Sequence, residues 1–109
     1  AVALKPGMIL SNEPGYYKTG GYGIRIENLV MVTTMKAEKG WERKLLGFDT
    51  LTCAPYDLNL IEPKLLSAAE LDWLNDYHAW VLATLGKQLD KADKAWLTGA
   101  TKKLKAGSK

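Results

Sequence analysis

The chain has 109 residues, one domain's worth at the usual ~100–200 residues per domain. Apolar residues make up 47% and charged residues 25%, ordinary globular proportions that exclude collagen-like and wholly disordered chains. Fifteen basic against twelve acidic residues give a net charge of +3, too mild to argue for a nucleic-acid partner. The single cysteine, Cys53, excludes an intrachain disulfide framework and fits a reducing compartment. Apolar runs of four or five residues fall far short of the ~20 that cross a bilayer, so no membrane partner is expected. Lys5, Pro6 and Gly7 stand where a signal peptide would carry its apolar core. A start on Ala1, directly in an apolar stretch, suggests a piece of a longer protein.

Residues 1–66 hold seven of the ten glycines and all four prolines, a turn density that separates short β-like runs. Met8-Ile9-Leu10-Ser11 is the first run, closed by Pro14-Gly15. Gly23 to Met35 is predicted as the longest strand. There Ile24 and Ile26 alternate with Arg25 and Glu27, and Leu29 to Val32 is then continuously apolar. This change of pattern predicts one end near a polar site and the other buried on both faces. Lys36 to Lys44 reads as a charged surface connection and Leu45 to Cys53 as a third, weaker strand.

From Ser67 onward the pattern turns helical. Ser67-Ala68-Ala69-Glu70 is a capping box, whose hydroxyl and carboxylate satisfy the free amides of a helix start. Leu71, Leu74, His78, Val81 and Leu85 then recur at three- and four-residue steps, widened by Trp73, Tyr77 and Trp80. Trp73, nearest the capping box, is expected to pack inward, and Trp80 either covers its own chain or anchors an interface. Gly86 is the predicted stop. A second helix is predicted from about Asp90 to Leu104, interrupted by Gly99, and the lysine-rich last eight residues are expected to fray. The expected class is α+β, with a strand-rich part over 1–66 and a helical part over 67–109.

Few residues here could do chemistry. Cys53 sits in an apolar run with no histidine near it and reads as a structural thiol. His78 falls on the apolar stripe of its helix and reads as a core or interface histidine bonded to a neighbour. Gly20-Gly21-Tyr22-Gly23 lacks the following Lys-Ser/Thr of a phosphate loop and reads as a hairpin connection. The two glutamates of the first part are more informative. Pro14 pushes Glu13 towards extended backbone. A hairpin centred near Gly20, with Lys18 to Tyr22 as its turn, sets Glu13 opposite Glu27 with Cβ atoms roughly 4.5–5.5 Å apart. Two ionised carboxylates ~4 Å apart repel by about 4 kcal/mol at an effective dielectric near ~20. Such a pair calls for a compensating cation or a shared proton. Arg25, on the strand face of Glu27, supplies part of that charge, and a divalent metal would supply it more completely. In a different register both glutamates would be solvated edge residues.

Lys5-Pro-Gly-Met-Ile-Leu-Ser-Asn-Glu-Pro-Gly-Tyr-Tyr17 followed by Tyr22-Gly-Ile-Arg-Ile-Glu-Asn28 resembles the C-terminal end of Xaa-Pro aminopeptidases. These belong to the pita-bread metallopeptidase superfamily, and the cytosolic, multidomain type is the most similar. The likeness continues through Leu51-Thr52, Pro55, Leu60-Ile61 and Leu71 to His78, and weakens after about Trp96. It implies a C-terminal part of a pita-bread catalytic domain over 1–66, with a helical extension over 67–109. It also implies two metal ions, Mn²⁺ with Zn²⁺ or Co²⁺ as alternatives, held by two aspartates, a histidine and two glutamates. Glu13 matches the glutamate that binds one ion and takes a proton from the attacking water, and Glu27 matches the one that bridges both ions. Arg25 matches an arginine beside the site and is implied to be catalytic together with Glu13. Tyr17 matches a tyrosine that supports a ligand. His78 lies on a helix outside the catalytic centre. The remaining ligands lie upstream in the family, so the resemblance covers the last fifth or so of an enzyme, and the fragment alone is expected to be inactive. The implied partners are peptides with proline second and a second copy in a homodimer, and the implied location is cytoplasmic. A prolidase, another pita-bread hydrolase or a non-catalytic peptide- or protein-binding module of the same fold are the alternative readings.

Overall fold

The computed structural model describes residues 1–107 and forms two compact units, Ala1–Thr52 and a second from Cys53 onward. The first unit is built from strands β1 (Ile9–Asn12), β2 (Gly15–Tyr17), β3 (Gly23–Arg25), β4 (Asn28–Met35) and β5 (Leu45–Thr50). An antiparallel sheet of order β1-β4-β5 has β4 at its centre, where Val32 is buried. The hairpin that joins β1 to β4 continues outward as the β2–β3 ladder. Lys18 N–H donates to Tyr22 C=O at 2.8 Å, and Gly20, at φ 70°, supplies the left-handed residue that the turn requires.

The predicted strand from Gly23 to Met35 is two strands. The break at Ile26-Glu27 has its cause across the ladder. Ile26 N–H donates to Pro14 C=O at 3.0 Å, but the reciprocal bond cannot form because proline has no N–H. Half a rung is lost, and both strands interrupt there while the register carries through. β4 is also less buried than its apolar run suggests, since Leu29 is exposed and Val30 and Met31 are half-buried. The third strand stops at Thr50, so Cys53 lies beyond the sheet and is half-buried in the second unit.

In the second unit an irregular segment with two short 3₁₀ turns, Leu58–Leu60 and Pro63–Leu65, leads into α1 (Ala68–Leu85) and α2 (Lys91–Ala100). The capping box forms as the sequence predicts. Ser67 Oγ accepts from Glu70 N–H at 3.2 Å, and Glu70 Oε2 accepts from Ser67 N–H at 2.8 Å. Caps of this kind contribute about 1 kcal/mol. Gly86 follows the last helical residue, and Asp90 caps α2 by accepting from Asp93 N–H at 2.8 Å.

The core has two clusters. Leu71, Leu74 and Leu104 pack with Tyr56, Leu58, Ile61 and Leu66, while Tyr77, Val81 and Leu97 pack with Cys53, Leu82, Leu85 and Leu89. Residues 53–66 therefore supply one wall of the helical core, which is why the units part at Thr52 and not at residue 66. The tail predicted to fray is docked through Leu104, which is 5% exposed. Asn75 Nδ2 donates to Leu104 C=O and Asn75 Oδ1 accepts from Leu104 N–H, both at 2.9 Å. α2 accordingly ends at Ala100, and the chain turns so that Leu104 reaches the core. The fraying predicted for residues 108 and 109 lies outside the described residues.

Candidate metal centre

The register decides whether the two glutamates meet. β1 pairs Asn12 with Asn28, and β2 pairs Gly15 with Arg25, so the same register flanks Glu13 and Glu27 on both sides. The bonds from Val32 N–H to Met8 C=O, Ile26 N–H to Pro14 C=O and Lys18 N–H to Tyr22 C=O mark the hydrogen-bonded rungs. Glu13 and Glu27 fall between two such rungs, on a non-hydrogen-bonded pair, where opposing side chains approach most closely.

Alternation along the ladder puts Glu13, Gly15 and Tyr17 on one face, together with Gly23, Arg25 and Glu27 across it. Arg25 Nε lies 3.6 Å from Glu27 Oε2, with both side chains about half exposed, a pair worth ~0–1 kcal/mol. The contact reaches one oxygen of Glu27. The glycines on this face make room. A Cβ on Gly15 would stand 2.9 Å from Arg25 Cγ, Tyr17 Oη and Ile24 O, and one on Gly23 would stand 2.9 Å from Tyr17 Cδ1. The Tyr17 ring thus lies along the hairpin beside Gly23, and its hydroxyl reaches over Gly15 towards the stem of Arg25. Residue-by-residue reading of charged groups misses Gly15 and Gly23. The signal that finds them is their place on the face that carries Glu13 and Glu27.

Two opposed carboxylates are hard oxygen donors of the kind that Mn²⁺ and similar ions prefer. The described residues contain no group of three or more His, Cys, Asp or Glu side chains that could hold an ion. The hairpin therefore fits part of a metal site and would need further ligands from beyond these residues. His78 belongs to the second unit, where it is buried and its pKa is lowered by desolvation. A core histidine bonded to a neighbour is what its place on the apolar stripe predicts, and its Nε2 accepts from Tyr56 N–H. Trp73 does not pack inward: it and Trp80 are both about half exposed, and Tyr77, between them on the helix, is buried. The ring of Trp73 stacks on that of Tyr77 at 5.2 Å and 4°.

The chain thus joins a hairpin with opposed carboxylates to a capped helical unit. Residues 44–104 match the family described as the C-terminal region of peptidase M24, and residues 1–34 match metallopeptidase family M24. The chain belongs to the M24 peptidase family, as part of its C-terminal region. Over 94% of its length it is 49% identical to a probable Xaa-Pro aminopeptidase P of Colletotrichum graminicola, of which it spans 17%. A second relative, from Fusarium vanettenii and described in the same words, is 50% identical over 92% of this chain and 17% of its own length. A crystal structure of X-prolyl aminopeptidase from Caenorhabditis elegans, described as a cytosolic enzyme with a di-nuclear active site, superposes with a TM-score of 0.77. That likeness has 35% identity and covers 93% of this chain and 17% of that one. The fold is the C-terminal part of the pita-bread fold, α+β as expected. No helix among the described residues is long and apolar enough to cross a membrane.

Proposed function

We propose that the protein containing this chain is an Xaa-Pro aminopeptidase with two divalent ions, and that this chain supplies the last two carboxylate ligands, Glu13 and Glu27. The register that sets these residues opposite each other on a close rung carries the reading. The relatives' names and the di-nuclear site of the C. elegans enzyme support it.

Bound divalent ions would supply an acidified water and polarisation of the scissile carbonyl. This chain's side chains have distinct tasks beside them. Glu27, paired with Arg25 at 3.6 Å through one oxygen, would hold metal beside Glu13 on the face the two residues share. Glu13 accepts the proton of the attacking water and returns it to the leaving proline nitrogen, a general-base and general-acid task suited to a carboxylate. Tyr17 and Arg25 keep that face ordered. Mn²⁺ suits the oxygen-rich donors, with Zn²⁺ and Co²⁺ as the alternatives that metal analysis would distinguish. Substrates would be peptides with proline second, the working form a homodimer and the location cytoplasmic. The description of the relatives as probable Xaa-Pro aminopeptidases, over a likeness that includes the helical unit, favours this type over a prolidase.

In the full-length protein, Glu27→Gln should release metal and abolish Xaa-Pro hydrolysis, because a neutral amide cannot neutralise two cations. Metal content by mass spectrometry and turnover on a proline-second peptide read the two effects. Full metal occupancy with more than about a tenth of wild-type turnover, a loss of only ~1.4 kcal/mol, would refute the assignment.

A further inference from the structure

The proposed chemistry makes no use of His78, yet its surroundings are specific. The residue is 1% exposed, and its Nε2 accepts the backbone N–H of Tyr56 at 3.0 Å. An acceptor at Nε2 puts the neutral ring's proton on Nδ1, which has no hydrogen-bond partner among the described residues. The preceding residue grips the same segment. Tyr77 Oη donates to Ala54 C=O at 2.9 Å and accepts from Ala54 N–H at 3.4 Å. Tyr56 packs its own ring on those of Tyr77 and His78, with centroids 5.2 and 6.1 Å away. Two adjacent residues of α1 thus hold residues 54–56 by backbone bonds, and one of those bonds ends on an imidazole nitrogen.

We propose that the bond from Tyr56 N–H to His78 Nε2 is an acid-released latch, which fastens residues 53–58 to α1 at neutral pH and frees them in acid. Protonation leaves the ring with two donors and no acceptor, so the Tyr56 N–H would face another N–H in place of a lone pair. The rings in contact with His78 are those of Tyr56, from the segment, and of Tyr77, from its own helix. No carboxylate among the described residues bonds either ring nitrogen, so nothing there compensates the imidazolium charge. Burial lowers the imidazole's pKa from 6.5, which places release on the acid side of that value. Between the ordinary and the lowered value the freed segment binds more protons than the fastened one. The opening constant therefore rises as pH falls, by up to about tenfold per unit.

Hydrogen exchange of the full-length protein at about pH 7 and about pH 5, corrected for intrinsic rates, tests the latch. Peptides covering residues 53–58 should lose protection at the lower pH, by at most about tenfold per unit, while those within α1 keep theirs. His78→Gln offers an amide oxygen that cannot be protonated in this range, and should hold the segment equally at both pH values. Protection unchanged in the wild type, or lost equally in His78→Gln, would overturn the proposal. Should that variant not fold, the wild-type profile decides alone. A loss of protection shared equally by α1 would then overturn it.

Discussion

Gly15→Ala is a small substitution whose cost can be worked from the hairpin's geometry. The added methyl would stand 2.9 Å from Arg25 Cγ, Tyr17 Oη and Ile24 O, where a carbon contact is comfortable at ~3.5–4.0 Å. Arg25 and Tyr17 can swing aside, but the Ile24 carbonyl belongs to the ladder, where Tyr16 pairs with Ile24. Either the methyl stays strained or β2 shifts against β3. Overpacking of this kind costs about 1–3 kcal/mol. Both escapes disturb the same face, because a displaced Arg25 leaves Glu27, 3.6 Å away, without its ion-pair partner. If the whole cost falls on the metal-competent arrangement, apparent metal affinity of the full-length protein drops between about fivefold and about 150-fold, at ~1.4 kcal/mol per decade. Metal titration followed by dye-monitored melting reads both affinity and stability. Gly99→Ala is the control: it lies in α2 with nothing within 4 Å of the new methyl, and should stabilise by ~0.5–1 kcal/mol. Wild-type metal affinity and melting temperature in Gly15→Ala would refute the close-packed account of this face.

Asn75→Ala removes both bonds to the backbone of Leu104 and should cost about 1–3 kcal/mol, since two backbone groups lose their partners. Hydrogen exchange should show faster exchange at Leu104, and unchanged protection there would refute the clamp. Leu74→Ala, at a site 5% exposed, should cost about 2–5 kcal/mol in thermal or denaturant unfolding. Residues 1–109 alone should bind Mn²⁺ no more tightly than ~mM and cleave no peptide, because two carboxylates leave most coordination positions to water. Calorimetry that finds micromolar binding would refute this.

Local structure is legible in the residues alone. The capping box, the apolar stripe of α1 and the turn at Gly20 depend on residues a few positions apart, so their chemistry is written in short stretches of chain. The opposition of Glu13 and Glu27 belongs with them, because one turn sets the register of the whole hairpin. Even the strand break at Ile26-Glu27 is implicit in Pro14, once the missing N–H is set against its partner across the ladder. Which residues close the helical core, in contrast, emerges only from three-dimensional packing. Asn75 meets Leu104 across 29 positions and His78 meets Tyr56 across 22, and neither pairing follows from periodicity. For the same reason the lysine-rich tail reads as solvated, while one leucine within it is buried. The inward place expected for Trp73 goes to Tyr77, which leaves Trp73 stacked on it at the surface. A helix stripe shows which side faces the core, but the depth of each side chain depends on what the rest of the chain packs against it.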